Sequence, residues 1–218
     1  MKINIRSDLR PDTAIEMAKR LIVDSIWKSA NLEGLGTTFP KTEAILANAP
    51  TETRSEEVLF IINMKRAWQF LLDTLEYKNN ISLLREYNKI VGELMFSFNG
   101  DIRTIPVQIG GTAWEPDMPH EGVIISDMES IEQIDDVETR ALKYFCYVAR
   151  TQIFIDGNKR VAQLIANKVL IEHNQGIFQI PIERLEQFKT LLLEFYETNI
   201  DEKIIEFMKE YCIRRVRG

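Results

Sequence analysis

Apolar residues recur at three- and four-residue steps along most of the chain, a spacing that commits it to packed helices. Ile15, Ala18, Ile22 and Ile26 set the first such face. Pro11 and Asp12 sit where a helix would begin, and Gly34 and Gly36 mark its stop. A short turn of helix around Thr42–Ala47 ends before Pro50. From about Ser55, the positions Val58, Ile61, Ile62, Trp68, Leu72 and Leu75 predict a second amphipathic helix. Asn79 and Asn80 break it, and Leu84, Tyr87, Val91, Leu94, Met95 and Phe98 predict a third. One segment departs from this texture. Ile105 to Ile109 reads as a strand, Gly110-Gly111 as a turn and Thr112–Trp114 as a return strand, with Pro116 and Pro119 ending the pairing. Helical texture resumes near Val123 and is interrupted around Asp156–Asn158, Gln175–Pro181 and Asn199. The expected fold class is mostly α, a helical bundle with one short β-hairpin.

Composition narrows the function classes. A chain of 218 residues suffices for one buried domain, or one domain with a small helical appendage. Lys and Arg total 27 against 33 Asp and Glu, a net charge of −6, which argues against nucleic acid or an anionic membrane as partner. The one basic cluster is Arg214, Arg215 and Arg217. No run of 18 apolar residues occurs, and MKINIRSDLRPD lacks the apolar stretch of a signal peptide, so a soluble, cytoplasmic protein is expected. Cys146 and Cys212 sit in apolar helical patterns and read as core thiols. His120 and His173 are the only histidines, which shortens the list of acid–base and metal mechanisms.

The chemistry-bearing stretch is Thr151-Gln-Ile-Phe-Ile-Asp-Gly-Asn-Lys-Arg160, where one apolar helix turns and another starts. Gly157 allows a backbone twist that other residues resist, and Asn158 is a natural N-cap. Exposed N–H groups at a helix start, beside Lys159 and Arg160, suit phosphate. Asp156 at the lip could hold Mg²⁺ between phosphate oxygens. A D-G-N turn alone would also suit an ordinary helix–turn–helix.

The longer match decides the reading. The stretch resembles the active-site motif of the Fic/Doc (Fido) family, H-x-F-x-(D/E)-G-N-(G/K)-R-x-x-R, and reads here Gln152, Phe154, Asp156, Gly157, Asn158, Lys159, Arg160 and Gln163. NGDIRTIPVQIGGTAWEPDMP is similar to the family's β-hairpin flap, and WKSANLEGLGTTFPKTEAI to its N-terminal regulatory segment. The resemblance covers about residues 15–210. It implies a Fic-type helical bundle with a flap, in which residues 1–50 form a regulatory segment and 51–218 the Fic core. It implies transfer of AMP, or another phosphate-containing group, from a nucleotide such as ATP to a Ser, Thr or Tyr hydroxyl of a target protein. By position, Asp156 would bind Mg²⁺, while Gly157, Asn158 and Arg160 would hold phosphates. Phe154 would anchor the loop, and Lys159 could bind phosphate or stay solvated. The target would dock on the flap, residues 105–114, and self-association is left open.

Two positions depart from the motif. Gln152 stands where the family has its catalytic His, and a carboxamide cannot act as a general base near neutrality. Gln163 stands where the family usually has a second Arg. That Arg normally pairs with the Glu of an inhibitory motif, (S/T)-x-x-x-E-(G/N), which Ser29, Glu33 and Gly34 match. Glu33 could therefore hydrogen-bond Gln163, turn to Arg160 or Lys159, or be a vestige. A weak transferase, or a catalytically silent Mg-nucleotide-binding module, follows from these two changes.

Overall fold

The structure is a computed structural model and describes residues 13–216. Pro11, Asp12 and Arg217, read above from the sequence, lie outside the described residues. Among the described residues, ten α-helices and two short strands follow one another: α1 Ala14–Arg20, α2 Ile22–Leu32, α3 Phe39–Leu46, α4 Ser55–Asp73, α5 Ile81–Gly92, α6 Glu121–Glu132, α7 Val137–Thr151, α8 Asn158–Glu172, β1 Gly176–Phe178, α9 Leu185–Thr198, α10 Glu202–Tyr211 and β2 Ile213–Arg215. The mostly α class expected from the periodicity is the class observed.

The sequence sets several of these boundaries through side-chain caps. Thr13 Oγ1 accepts from Glu16 N–H while Glu16 Oε2 accepts from Thr13 N–H, a reciprocal pair that starts α1. Thr38, Asn80 and Asp136 cap α3, α5 and α7 in the same way on one side. The first predicted helix is divided at Leu21, whose backbone (φ −103°, ψ 11°) leaves the helical region.

Helix α8 occupies the centre, with α7, α5, α4, α1 and β1 around it. It is buried on nearly every side, as a helix without a solvent face must be. Most of its polar side chains are accordingly hydrogen-bonded, Arg160 Nε being an exception. Lys168 donates to Leu75 O at 3.0 Å and to Glu172 at 2.6 Å, and Asn167 brackets Phe178 with two backbone bonds. The two cysteines are buried free thiols, as expected, and burial raises the pKa of Cys212 to about 12.

Two predicted elements are placed differently. Residues 105–114 carry no strand ladder; they belong to an irregular connection between α5 and α6. Pro106 lacks an N–H donor and Arg103 takes the carbonyl of Ile105, so neither group is left for a cross-strand bond, while Thr112 and Trp114 meet Glu197 and Tyr196 of α9. The antiparallel pair among the described residues joins β1 to β2, with Phe178 opposite Ile213. Gly176 makes that pairing feasible, since a Cβ there would lie 2.1 Å from Arg214 O. The third helix also stops earlier than its apolar pattern predicts. After Gly92 the chain folds back, with Asn99 donating to Lys89 O and Gly100 N–H to Asn88 Oδ1. Leu94 and Phe98, read as helix-face residues, are instead 83% and 69% exposed and have positive φ.

Candidate functional site

Helix α7 ends at Gln152, which adopts a left-handed conformation (φ 49°, ψ 58°) and turns the chain into the loop before α8. Ile153 and Phe154 are fully buried and pin this loop to the core. Asn158 organises it from the other side: Oδ1 accepts from Phe154 N–H at 3.0 Å, and Nδ2 donates to Phe154 O at 2.8 Å and to Gln152 Oε1 at 3.0 Å. The N-cap of α8 is therefore Gly157, not Asn158 as the residue type suggested; Asn158 is the first helical residue and its side chain is taken up by the loop. Gly157 has φ +81°, and a Cβ there would meet Asn88 Nδ2 at 3.0 Å and Phe96 at 3.3 Å. Asn88 donates to Asp156 O at 2.8 Å, so α5 holds the turn from beneath.

The first bond within α8 is from Val161 N–H to Gly157 O, which leaves the preceding amides of the first turn pointing along the helix axis. Beside this turn lies a cavity of about 360 Å³, which Gly157 and Asn158 do not line. Gln152, Asp156 and Lys159 line it from the loop and α8, Glu33 from the end of α2, and Val107–Gly110 from the connection after α5. Lys189, Leu192, Leu193 and Tyr196, one face of α9, complete the wall. Burial, reinforced by the charge of Glu33, raises the pKa of the Tyr196 hydroxyl, so it stays a neutral donor.

The expected site residues divide into two groups. Glu33, Gln152, Asp156 and Lys159 meet at the cavity. Arg160 does not line it: its guanidinium is buried between Phe60 and Phe96, donating to Val91 O at 3.0 Å and to Asp156 Oδ2 at 3.1 Å. Arg160 thus orients Asp156 from behind. Ser29 and Gln163 also face elsewhere, into a small internal void between α2 and α8, where Ser29 Oγ has no partner. Gln163 donates to Lys159 O, and Glu33 takes the Lys159 ammonium at 3.0 Å instead of Gln163. His120 precedes α6 in a separate cleft, and His173 ends α8 with Nδ1 2.9 Å from Val169 O; neither reaches the cavity.

Residues 79–170 match the model of the Fic/DOC family.

The fold agrees with that of solved Fic-domain proteins. Fic-1 from C. elegans (residues 134–508) superposes with a TM-score of 0.78 at 20% identity, over 94% of this chain and 64% of that one. A Fic family protein from Desulfovibrio desulfuricans G20 gives 0.72 at 13% identity, over 87% and 61%. A Fic domain containing signaling protein from Bacteroides thetaiotaomicron VPI-5482 gives 0.70 at 19% identity, over 94% and 86%. The chain thus spans less than two thirds of the length of the first of these. A search of curated proteins found no match.

A metal fits this site in one way. The Asp156 carboxylate is 59% exposed at the cavity rim, and Gly157 N–H and Arg160 occupy only part of its acceptor capacity. No group of three His, Cys, Asp or Glu able to hold an ion occurs among the described residues. Such a donor set suits Mg²⁺ delivered on phosphate oxygens, with one carboxylate from the protein. The sequence reading missed Lys189, Leu192, Leu193 and Tyr196. Their i, i+3, i+4, i+7 spacing was visible, but the same spacing marks any core-facing stripe.

Proposed function

We propose that the cavity binds a Mg-nucleotide and that the protein transfers AMP, or another phosphate-containing group, to a Ser, Thr or Tyr hydroxyl of a target protein. The observation that carries this reading is that Asp156 and Lys159, at the open first turn of α8, line one cavity together with residues 107–110. Lys159 meets phosphate charge, and Asp156, held by Arg160, presents a free carboxylate lone pair. Bound Mg²⁺ would neutralise charge between phosphate oxygens. Residues 107–110 offer backbone groups to an extended target segment, since no ladder among the described residues uses them. In this reading residues 1–50 are the regulatory part, acting through Glu33, and 51–218 the Fic core. The acceptor hydroxyl must lose a proton as its oxygen bonds phosphorus, and Gln152 stands in the position from which the family's His takes it. Without a base the transfer is slow, by about 10²–10⁴.

A second reading, a silent Mg-nucleotide-binding module acting through protein contacts, is favoured by the Gln152 amide itself. Its Nε2 donates to Ala149 O and its Oε1 accepts from Asn158, so the group serves the loop. Intact-mass and radiolabel transfer from several nucleotides, with lysate and self-modification read together, separates the two. Labelled product supports the transferase; nucleotide binding by calorimetry without any label supports the module; neither binding nor transfer overturns both.

A further inference from the structure

Arg103 is 2% exposed and lies outside the cavity wall, yet it bonds to both ends of the connection after α5 and to the turn at residues 152–153. Its Nε–H donates to Gln152 O at 2.6 Å. Nη1 donates to Ile105 O at 3.0 Å and approaches Met118 Sδ at 3.3 Å. Nη2 donates to Pro116 O at 3.3 Å and to Asp117 O. The backbone N–H of Arg103 donates to Ile153 O at 3.0 Å. One side chain therefore joins the first leg of the connection after α5, its last leg, and the turn at residue 152.

We propose that Arg103 is a positioning residue that clamps residues 105–117 over the cavity and holds residue 152 in its left-handed conformation. Two features demand such a device. The two arms of the connection do not pair with each other, so their separation from α9 must be set by other bonds. Gln152 is a non-glycine residue at φ 49°, a conformation that persists only where the surroundings impose it. A planar guanidinium with five donors can span four carbonyls in fixed directions; an ammonium on a flexible stem cannot. Farther along, Trp114 lies between Arg150, 4.1 Å from its ring centre, and Tyr196, which fixes the return arm but not the first one. The clamp stands on this geometry, and only its consequence for target docking rests on the transferase reading.

The test is a spin-label distance between Gln108→Cys, at the tip of the connection, and Glu186→Cys on α9, in the full chain; Cys146 and Cys212 are buried and escape labelling. With Arg103 present the distance distribution should be narrow. Arg103→Met and Arg103→Lys should both broaden it at least twofold, while helix content by circular dichroism stays unchanged. A distribution that stays narrow in Arg103→Met, or that Arg103→Lys restores, overturns the clamp. If neither variant folds, the unaltered chain decides: a slowly exchanging Arg103 Nε–H resonance near neutral pH supports the clamp, and one averaged with bulk arginine overturns it. Absence of Mg-ATP binding to the unaltered chain would count against the transferase reading and leave the distance result standing.

Discussion

The Glu33 carboxylate lies 3.0 Å from the Lys159 ammonium, so the end of α2 is joined by charge to the first turn of α8 at the wall of the cavity. The pair is partly exposed, with side chains 19% and 34% accessible, and is worth about 1 kcal/mol at most. While paired, Lys159 is withheld from a phosphate. Glu33→Gly should therefore tighten binding of a nucleoside triphosphate by about fivefold, the equivalent of that energy, and leave AMP nearly unchanged. Calorimetry of both ligands checks this, and with Lys159→Met the Glu33 effect should vanish. Equal triphosphate affinities with and without Glu33 would show that the pair restrains nothing.

Gly157 is the point at which the loop tolerates least change. An alanine there would hold φ near +81° at a cost of about 1–2 kcal/mol, and its Cβ would press on Asn88 Nδ2 at 3.0 Å. Gly157→Ala should lower the thermal midpoint by about 2–8 °C, the range expected for a domain of this size. It should also weaken nucleotide binding, because Asn88 must give up Asp156 O. An unchanged midpoint would mean that the loop relaxes freely, against the packing described.

Most helices were legible because their apolar stripes and caps are local features: Asn80 before Ile81 and the break at Asp156–Asn158 needed no tertiary information. The errors arose where distant groups intervene. Leu94 and Phe98 fit a helical stripe, but the chain bends after Gly92 so that Phe96 can cover Arg160, 69 residues beyond Val91. Residues 105–114 alternate like a hairpin, yet Pro106 offers no donor and the Ile105 carbonyl is taken by the buried Arg103. At the site, the turn residues could be named from the motif. Which of them face the cavity could not, since Arg160 and Lys159 are neighbours and only packing separates the inward one from the one at the wall.

Asp136 links stability to pH through α7, the helix that delivers residue 152. Hydrogen bonds from the Thr139 side chain and backbone lower its pKa from 3.8 to about 2, with Lys209 adding to the effect. A carboxylate depressed in the folded state stabilises fully above its unfolded value, and that contribution is lost as pH falls from about 4 through 2. Asp136→Ala should cost about 1 kcal/mol at pH 7, the usual worth of such a cap, and much less at pH 2. Asp136→Asn, which still caps, should be milder at pH 7. Denaturant melts at both pH values test this, and a deficit in Asp136→Ala that is constant with pH would refute it.

The last prediction restores the missing base. Gln152→His would place an imidazole, with an ordinary pKa close to 6.5, on a turn that Arg103 and Asn158 already hold. The Gln152 Nε2 amide now donates to Ala149 O, so a ring N–H could make the same bond and leave the lone pair of the other nitrogen for the acceptor proton. Combined with Glu33→Gly, which releases Lys159, the variant should transfer label from a Mg-nucleotide to protein, most readily to itself. The unaltered chain should give about 10² times less, or none. The rate in the double variant should rise with pH through the imidazole range, since only the neutral ring can take the acceptor proton. Both proteins must first be shown to bind Mg-ATP and to melt alike. A double variant that binds nucleotide but labels neither itself nor lysate proteins would mean that base loss is not the sole defect, and the silent binding module would become the better reading of the same cavity.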